Sequence, residues 1–446
     1  MGNQFFDMIE QDVFVIPIKA EYLIYSPLRQ ILLLTNFTGV NKISQYLESS
    51  SIVESEDIFY QNIEKLGLLK PINPESAGEL FMKRRPPFTR VSLALTNDCN
   101  LKCIYCYASC GTKSDVMTDY LIEDSINFSF ENCQKSHLDE FHLGFHGTGE
   151  ATIVWKKVVT AVTIAEKLCV ENGINPFFSF ITNAYRLSEQ QVKFMKDHNF
   201  HVSVSMDGFK KIQDIQRPSR NNYGSFDNVM KSINKLQAYG VKFSIRATCT
   251  QESIPFLPEI VNFFSDSVFK GNGGKIHFEP VEVCGRAVEY SHIATTPDEF
   301  IQEYKKAVVI AEELGIKLNC SGDLRGGLQT TFCGANGRNL IILPNGLITS
   351  CSRVTDEAHR LSNTFIYGQY NELSRTFSFD EEKLAALQKI DVSNFDSCRK
   401  CYARWHCAGN CVVSKLSGDN HWEDSCKITR ELVKWRLIRL LKSGKA

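Results

Sequence analysis

The stretch Val91-Ser92-Leu93-Ala94-Leu95-Thr96-Asn97-Asp98-Cys99-Asn100-Leu101-Lys102-Cys103-Ile104-Tyr105-Cys106-Tyr107 places three cysteines directly behind a mostly apolar run. Val91–Thr96 reads as a strand, because a short apolar run bounded by turn-forming residues suits a buried strand. Cys99, Cys103 and Cys106 then fall on a short loop. Three thiolates so close in sequence can hold three irons of a cubane cluster, cysteine sulfur being the usual ligand of such clusters. A fourth iron would lack a protein ligand and stay open to a small molecule. A zinc site or a chance grouping of thiols is the plainer alternative, since short motifs carry false positives.

The rest of the 446-residue chain narrows the choice. With 43% hydrophobic and 23% charged residues it has the composition of an ordinary globular protein. A net charge of -1 offers nothing global to nucleic acid or an anionic membrane. No apolar run reaches the length of a membrane span. The opening Met-Gly-Asn-Gln-Phe-Phe-Asp-Met-Ile-Glu-Gln-Asp lacks the basic-then-apolar layout of a secretory signal, so a cytoplasmic protein is expected. In a reducing compartment, sixteen cysteines point to metal or redox chemistry rather than disulfides. They are grouped: Cys99, Cys103, Cys106 and Cys110 lie together, Cys398, Cys401, Cys407, Cys411 and Cys426 lie near the end, and Cys333 and Cys351 fall between.

Residues 1–85 carry no chemical motif. Phe14–Ile18, Tyr22–Ser26 and Ile31–Thr35 read as strands, and Val40–Leu47 and Ile58–Leu66 as helices, together a small α+β, winged-helix-like unit. Lys83-Arg84-Arg85-Pro86-Pro87 reads as a linker. From residue 91 strands alternate with helices: Val91–Thr96, Phe141–His146, Phe177–Thr182, His201–Met206, Lys242–Cys249 and Lys275–Glu279, with helical stretches near 119–133, 155–172, 188–198, 226–239, 255–265 and 297–314. Such alternation predicts an α/β fold, a parallel sheet with outer helices, open or closed partway into a barrel. Barrel active sites gather at the C-terminal ends of the strands, and the cysteine triad follows the first of them.

The C-x3-C-x2-C spacing, with Tyr105 before the last cysteine, resembles the signature of the radical S-adenosylmethionine (SAM) superfamily. The resemblance implies a partial (β/α)6 TIM-like barrel over residues 88–315. It implies that Cys99, Cys103 and Cys106 hold a 4Fe–4S cluster whose open iron chelates SAM, with Tyr105 beside the cofactor. Electron transfer from the cluster then splits the sulfonium and releases a 5′-deoxyadenosyl radical. His146-Gly147-Thr148-Gly149-Glu150 is similar to the family's Gly-Gly-Glu-Pro segment, which implies that Gly147, Gly149 and Glu150 bind the amino group of SAM. Thr148 between the glycines and Ala151 in place of proline depart from that pattern. Ser205-Met206-Asp207-Gly208 looks like the Ser-x-Asp-Gly segment of peptide-modifying members, implying that Ser205 meets the ribose or carboxylate of SAM. Arg246 alternates with apolar residues of a strand and is expected to point inward or into the site, with the carboxylate of SAM or a structural salt bridge as its anion. Arg217, Tyr223–Phe226, Phe278-Glu279-Pro280 and Gly285-Arg286-Ala287 resemble further segments of the same group.

Beyond residue 315 the framework Cys333-x12-Gly346-x4-Cys351, then Cys398-x2-Cys401-x5-Cys407-x3-Cys411 and finally Cys426, matches the seven-cysteine SPASM pattern of auxiliary-cluster radical SAM proteins. A pair of zinc ribbons is the rival, since C-x2-C also suits tetrahedral zinc. The resemblance implies a SPASM domain over 316–430 followed by a C-terminal helix over 431–446. Cys398, Cys401, Cys407 and Cys426 would hold one 4Fe–4S cluster, and Cys333, Cys351 and Cys411 the other; its fourth ligand stays open between Cys320, the nearest upstream candidate, and no cysteine at all, which would leave an iron for substrate. Cys110, Cys133, Cys169, Cys249 and Cys284 stand outside the framework and read as small buried residues. The basic amphipathic run Ile428–Leu441 is expected to pack on its own domain rather than on a membrane.

The expected protein is therefore a radical SAM enzyme with SAM and three 4Fe–4S clusters, cross-linking a ribosomally made precursor peptide by a thioether, carbon–carbon or ether bond. Its expected partners are that peptide with its leader and an electron donor such as flavodoxin or ferredoxin; residues 1–85 are either the element that binds the leader or an extension that covers one end of the main domain. An anaerobic sulfatase-maturing enzyme is the second reading. That group carries an aspartate after the second framework cysteine, where this chain has Ser352. A non-catalytic zinc or electron-transfer protein is the third.

Overall fold

The computed structural model describes residues 12–49, 57–68, 70–111, 114–323, 327–418 and 421–444, so that residues 1–11, read above for a signal, lie outside it. Strands β4 (Arg90–Leu93), β5 (Glu140–Phe145), β6 (Asn175–Thr182), β7 (His201–Ser205), β8 (Phe243–Cys249), β9 (Gly274–Pro280) and β10 (Ile316–Asn319) pair in parallel, each beside its successor in the chain. The intervening segments carry helices α3 (Asp119–Lys135), α4 (Trp155–Asn172), α5 (Glu189–Asp197), α6 (Phe226–Ala238), α7 (Leu257–Phe263) and α8 (Pro297–Glu313). All six strands and all six helical stretches expected from the sequence are present within a few residues. Because right-handed crossovers that always step the same way leave their helices on one face, this order is a barrel sector and not a doubly wound sheet.

Each strand shows the period of two. Val91, Leu93, Phe141, Leu143, Phe145, Phe178, Phe180, Ile245 and Phe278 are buried in the main core under the helices. Their alternates, Phe177 and Ile181 apart, are mostly polar or small: a Cβ on Gly144 would meet the hydroxyls of Ser179 at 3.0 Å and Ser92 at 3.1 Å, so those positions share the opposite face. A closed barrel fills that face with branched apolar side chains. Here it bears Ser92, His146, Ser179, Ser205, Arg246 and Glu279, a polar face that is only partly buried.

The sheet runs on past both ends of the expected barrel. β10 lies beyond residue 315 yet pairs with β9, Ile316 opposite Gly274. At the other edge β11 (Ile341–Ile342) joins β4 in parallel, and β12 (Leu347–Thr349), β13 (Ile366–Asn371) and β14 (Thr376–Phe379) add antiparallel. The cysteine-rich segment thus grows out of the edge of the strand that delivers the first cysteines, covering an edge that would otherwise be open to foreign strands.

Upstream, β1 (Phe14–Ile18), β2 (Glu21–Ser26) and β3 (Ile31–Thr35) form an antiparallel meander followed by α1 (Phe37–Ser49) and α2 (Ile58–Leu66). Asp57 caps α2 at its start and Gly67, in the left-handed region, ends it. One face of the meander packs Ile24 on Val40, Ile43 and Ile63. The other packs Ile16, Leu23 and Tyr25 on Ala403, Val433 and Leu437. Buried Asp12 accepts from the indole of Trp405 at 2.8 Å, and Tyr25 hydrogen-bonds His406. The N-terminal unit is therefore seated on the last cysteine-rich segment.

The final helix α9 (His421–Lys442) buries Ile428, Leu432, Val433 and Leu437. Its Arg436 pairs with Asp323 at 2.6 Å, and its Arg439 pairs with Glu312. The helix packs on its own chain, as expected. Among the described residues no helix is long and apolar enough to cross a membrane.

Candidate active site

Cys99, Cys103 and Cys106 sit on the loop that leaves β4, and three neighbouring segments fix that loop by its backbone. The first is the glycine turn after β5. Glu150 N–H donates to Asp98 O at 2.8 Å, and Thr148 donates its hydroxyl to Thr96 O at 3.0 Å. Gly149 has φ +53°, and a Cβ there would lie 2.2 Å from Thr96 O and 2.4 Å from Asp98 O. Only glycine allows this approach. The second segment is Gly285-Arg286. A Cβ on Gly285 would stand 2.3 Å from Tyr107 O, and the Arg286 guanidinium donates to Cys103 O at 2.8 Å and Cys110 O at 2.7 Å. The third is Arg220, which donates to Cys99 O and pairs with Asp98.

Burial pushes the Cys99 thiol up, and it pushes Cys103 up to about 12 against the pull of the Arg217 and Arg286 guanidinium charges. Cys106 goes the other way, held down to about 6 chiefly by a hydrogen bond from Cys110. The Cys110 sulfur in turn accepts from Gly149 N–H at 3.0 Å. Cys110, which the sequence offers only as a spare small residue, is thus a partner of the triad.

Glu150 is buried at the floor of this region. Its carboxylate accepts from the Thr182 hydroxyl at 2.8 Å and Asn183 N–H at 2.7 Å, tying the end of β5 to the end of β6. Burial raises its pKa, and those same hydrogen bonds oppose the rise. Tyr105 donates its hydroxyl to Asp207, whose carboxylate also accepts from Gln216 at 2.7 Å and Thr248 N–H at 2.9 Å and lies 3.0 Å from Arg217 Nε. Asp207 is therefore the hub that joins the ends of β7 and β8 to the cysteine loop, more than a turn former.

Ser205 ends β7 directly opposite Arg246 on β8. Arg246 is exposed, and no hydrogen bond or salt bridge holds it among the described residues. It shares the polar face of β8 with Ser244 and Thr248, because the apolar alternates Ile245 and Ala247 are the ones taken by the helices. On the adjacent strand β9, directly beside Arg246, His277 bonds Asn319 at 2.7 Å and Glu279 at 2.6 Å, and Ser321 donates its hydroxyl to Glu279 at 2.6 Å. Burial raises the Glu279 carboxyl, but the His277 hydrogen bond, the charges of His277 and Arg246 and the Ser321 contact outweigh it and hold it near about 2. His146 bonds Ser92 at 3.0 Å and is kept neutral, burial lowering it to about 4.

Residues 93–252 match the model of the Radical SAM superfamily. A cysteine-type anaerobic sulfatase-maturating enzyme of Clostridium novyi is 29% identical over 181 residues, 39% of this chain and 47% of that enzyme. That match spans about half of the relative's own length. The radical SAM cyclopropyl synthase TigE of Paramaledivibacter caminithermalis is 21% identical over 78% of this chain and 73% of its own. Among solved structures, anSMEcpe with bound AdoMet superposes with a TM-score of 0.62 at 20% identity, covering 80% of this chain and 96% of that one. Streptococcus suis SuiB bound to precursor peptide SuiA gives 0.53 at 13% identity, over 92% and 96%. Over residues 93–252 the chain is similar to radical SAM proteins, a group whose chemistry draws on SAM and a 4Fe–4S cluster, and its enzyme-named relatives support an enzyme.

Two further cysteine groups lie beyond the radical SAM domain. Cys398, Cys401, Cys407 and Cys426 line one cavity of about 260 Å³ with Arg404, Trp422 and Arg430. Burial and the neighbouring thiols push Cys426 up to about 12. Among the described residues no three His, Cys, Asp or Glu side chains converge on a single ion; the four cysteines ring a space instead. In the second group, Cys351 is raised to about 12 by burial and by the nearby thiols of Cys411 and Cys333. The Arg353 guanidinium donates to Cys411 sulfur at 3.2 Å and to Ser414 at 2.7 Å, and pairs with Glu282.

Cys320 does not join that group, contrary to expectation. It is buried in the main core, with Asp323 and Glu279 as its charged neighbours and a hydrogen bond to Tyr304. Its place at the end of β10 puts it under α8 instead of among the loops that carry Cys333, Cys351 and Cys411. Arg286, Arg353 and Asp207 had no assigned role in the sequence. The glycine beside Arg286 was the one visible sign of a tight approach.

Proposed function

We propose that the enzyme matures a ribosomally made peptide by cross-linking it after hydrogen abstraction. The observation that carries this reading is the N-terminal unit seated on the cysteine-rich segment. The anSMEcpe fold accounts for 80% of this chain, leaving roughly a fifth, the length of residues 1–85. The SuiB fold extends over 92%, and that protein was solved with a precursor peptide. In the N-terminal meander β3 is an edge strand with Leu34 exposed, and Phe37 at the start of α1 is exposed just beyond it. An edge strand with exposed apolar side chains suits strand addition by a leader peptide.

Cys99, Cys103 and Cys106 would hold the cluster that, with SAM, supplies the 5′-deoxyadenosyl radical. Gly149, Arg286 and Arg220 keep the cysteine loop in place through its carbonyls. Gly147, Gly149, Glu150, Ser205 and Arg246 stand at the strand ends where SAM would lie, and Arg246 has no ion pair among the described residues. The polar inner face, with Ser179, His277 and Glu279, would receive the peptide. Cys398, Cys401, Cys407 and Cys426 fit an auxiliary 4Fe–4S cluster because four thiols ring one cavity, and Cys333, Cys351 and Cys411 fit a second. An acidic donor such as flavodoxin or ferredoxin would supply the electron.

A sulfatase-maturing activity is the second reading, favoured by the relatives' names. Ser352 follows Cys351 where that group carries an aspartate, and the neighbouring carboxylate of Glu282 is tied to Arg353 and Ser414. A carboxylate held in that way is not free to take a substrate proton.

The test is anaerobic turnover with SAM, dithionite and each short peptide that the gene's neighbourhood is found to encode, following 5′-deoxyadenosine and the peptide mass. Loss of a hydrogen pair with a new cross-link supports the proposal. Formylglycine in a sulfatase peptide and no change in the precursor would overturn it.

A further inference from the structure

The segment Glu282-Val283-Cys284-Gly285-Arg286 touches two cysteine groups at once. Its C-terminal end is locked to the radical SAM loop: Gly285 is pressed on the carbonyls of Cys106 and Tyr107, Arg286 N–H donates to Cys106 O at 3.0 Å, and the Arg286 side chain reaches Cys103 O and Cys110 O. Its N-terminal end is locked to the second group, where Glu282 pairs with Arg353 and accepts from Ser414 at 2.6 Å. Cys284 stands between these anchors, half-buried. Its thiol hydrogen-bonds Arg353, the guanidinium that also lies 3.2 Å from Cys411 sulfur. One guanidinium therefore spans both thiols.

We propose that Cys284, and not Cys320, completes the ligand set of Cys333, Cys351 and Cys411. This rests on the reading above that those cysteines hold an iron–sulfur cluster. The other spare thiols are committed elsewhere: Cys110 to Cys106, Cys133 to Glu140 O, Cys320 to Tyr304, and Cys169 and Cys249 to the main core. On ligation Cys284 loses its proton and takes the one iron that three cysteines leave open. Two consequences follow from the geometry. A cluster with four cysteine ligands has no iron for a substrate, so its part is electron transfer. Its fourth ligand is also joined through Gly285 and Arg286 to the loop of the radical SAM triad, a route of two residues and one hydrogen bond between the two centres.

The experiment uses the full chain with Cys99, Cys103 and Cys106 replaced by alanine, so that only auxiliary clusters remain, and adds Cys284→Ala, Cys284→Ser or Cys320→Ala to it. Iron and sulfide are counted, and the reduced clusters are examined by electron paramagnetic resonance before and after adding 13C-cyanide as a probe for an open iron. The parent should hold about eight irons and show no cyanide coupling. Both Cys284 variants should gain the coupling or lose up to about half of the iron, whereas Cys320→Ala should match the parent. Circular dichroism confirms that each variant is folded. A parent that already couples to cyanide, with Cys284 variants spectrally unchanged, overturns the assignment alone. A parent without sulfide-bearing iron overturns both it and the auxiliary-cluster reading.

Discussion

Gly149→Ala is the substitution that best isolates the contact between the glycine turn and the cysteine loop, because Gly173→Ala provides a matched control. Both glycines have positive φ, +53° and +65°, so alanine at either costs about 1–2 kcal/mol for the left-handed backbone. At Gly173, which ends α4, a Cβ meets nothing within 4 Å. At Gly149 it would overlap two carbonyl oxygens, Thr96 at 2.2 Å and Asp98 at 2.4 Å, and neither backbone atom can swing aside as a side chain does. Overpacking of that kind costs about 1–3 kcal/mol. The turn also donates hydrogen bonds to Cys110 sulfur, Asp98 O and Thr96 O, each worth about 1 kcal/mol when lost. The excess for Gly149→Ala over the control is therefore about 2–4 kcal/mol, confined to the cysteine loop. Since about 1.4 kcal/mol is a factor of ten, 2 kcal/mol is roughly 25-fold in the loop-opening equilibrium. Hydrogen exchange of the peptide 95–111, compared between the two variants, reads that ratio directly. Exchange within about twofold of Gly173→Ala would refute the claim that the close approach holds the loop.

Three other outcomes follow from the same contacts. Arg286→Gln leaves Cys103 O and Cys110 O without a cationic donor, each such bond being worth about 1.5–3 kcal/mol, and should lower 5′-deoxyadenosine formation at least tenfold while sparing far-UV circular dichroism; full activity would contradict the clamp. In iron-free protein at neutral pH, iodoacetamide should label Cys106 ahead of Cys103, since one thiol is held down to about 6 and the other up to about 12, and Cys110→Ala should slow Cys106; equal labelling by peptide mapping counts against the pair. Glu279, held near about 2 against an ordinary 4.5, contributes stability that is complete above its unfolded value and drains away as pH falls toward 2. The thermal midpoint of Glu279→Gln should therefore lie below that of the parent at neutral pH and converge on it in acid; a constant gap would show that the charge is not the cause.

Much of the fold was legible because its signals are local. The six apolar runs and the amphipathic stretches between them carry periods of two and 3.6 within a dozen residues, and caps such as Asp57 and Gly67 mark a helix by their own chemistry. The triad Cys99, Cys103 and Cys106, the glycine turn before Glu150 and the groups ending at Cys411 and Cys426 could be read for the same reason, since ligand spacing is a property of one short segment.

What the sequence by itself determined is thus the α/β order, the cysteine frameworks and the class of chemistry they serve. The tertiary structure alone decided which distant groups meet. Period two says that Arg246 and Ile245 face opposite ways, but not which face the helices take; the helices cover the apolar one, so Arg246 is exposed on the polar one. Spacing placed Cys320 nearest Cys333, yet pairing of β10 with β9 carries it into the core under α8. Cys284 had no framework at all, and the fold sets it beside Arg353 because Glu282 and Arg286 are anchored on either side. Contacts between residues far apart in the chain depend on strand order and loop closure, and no local pattern encodes them.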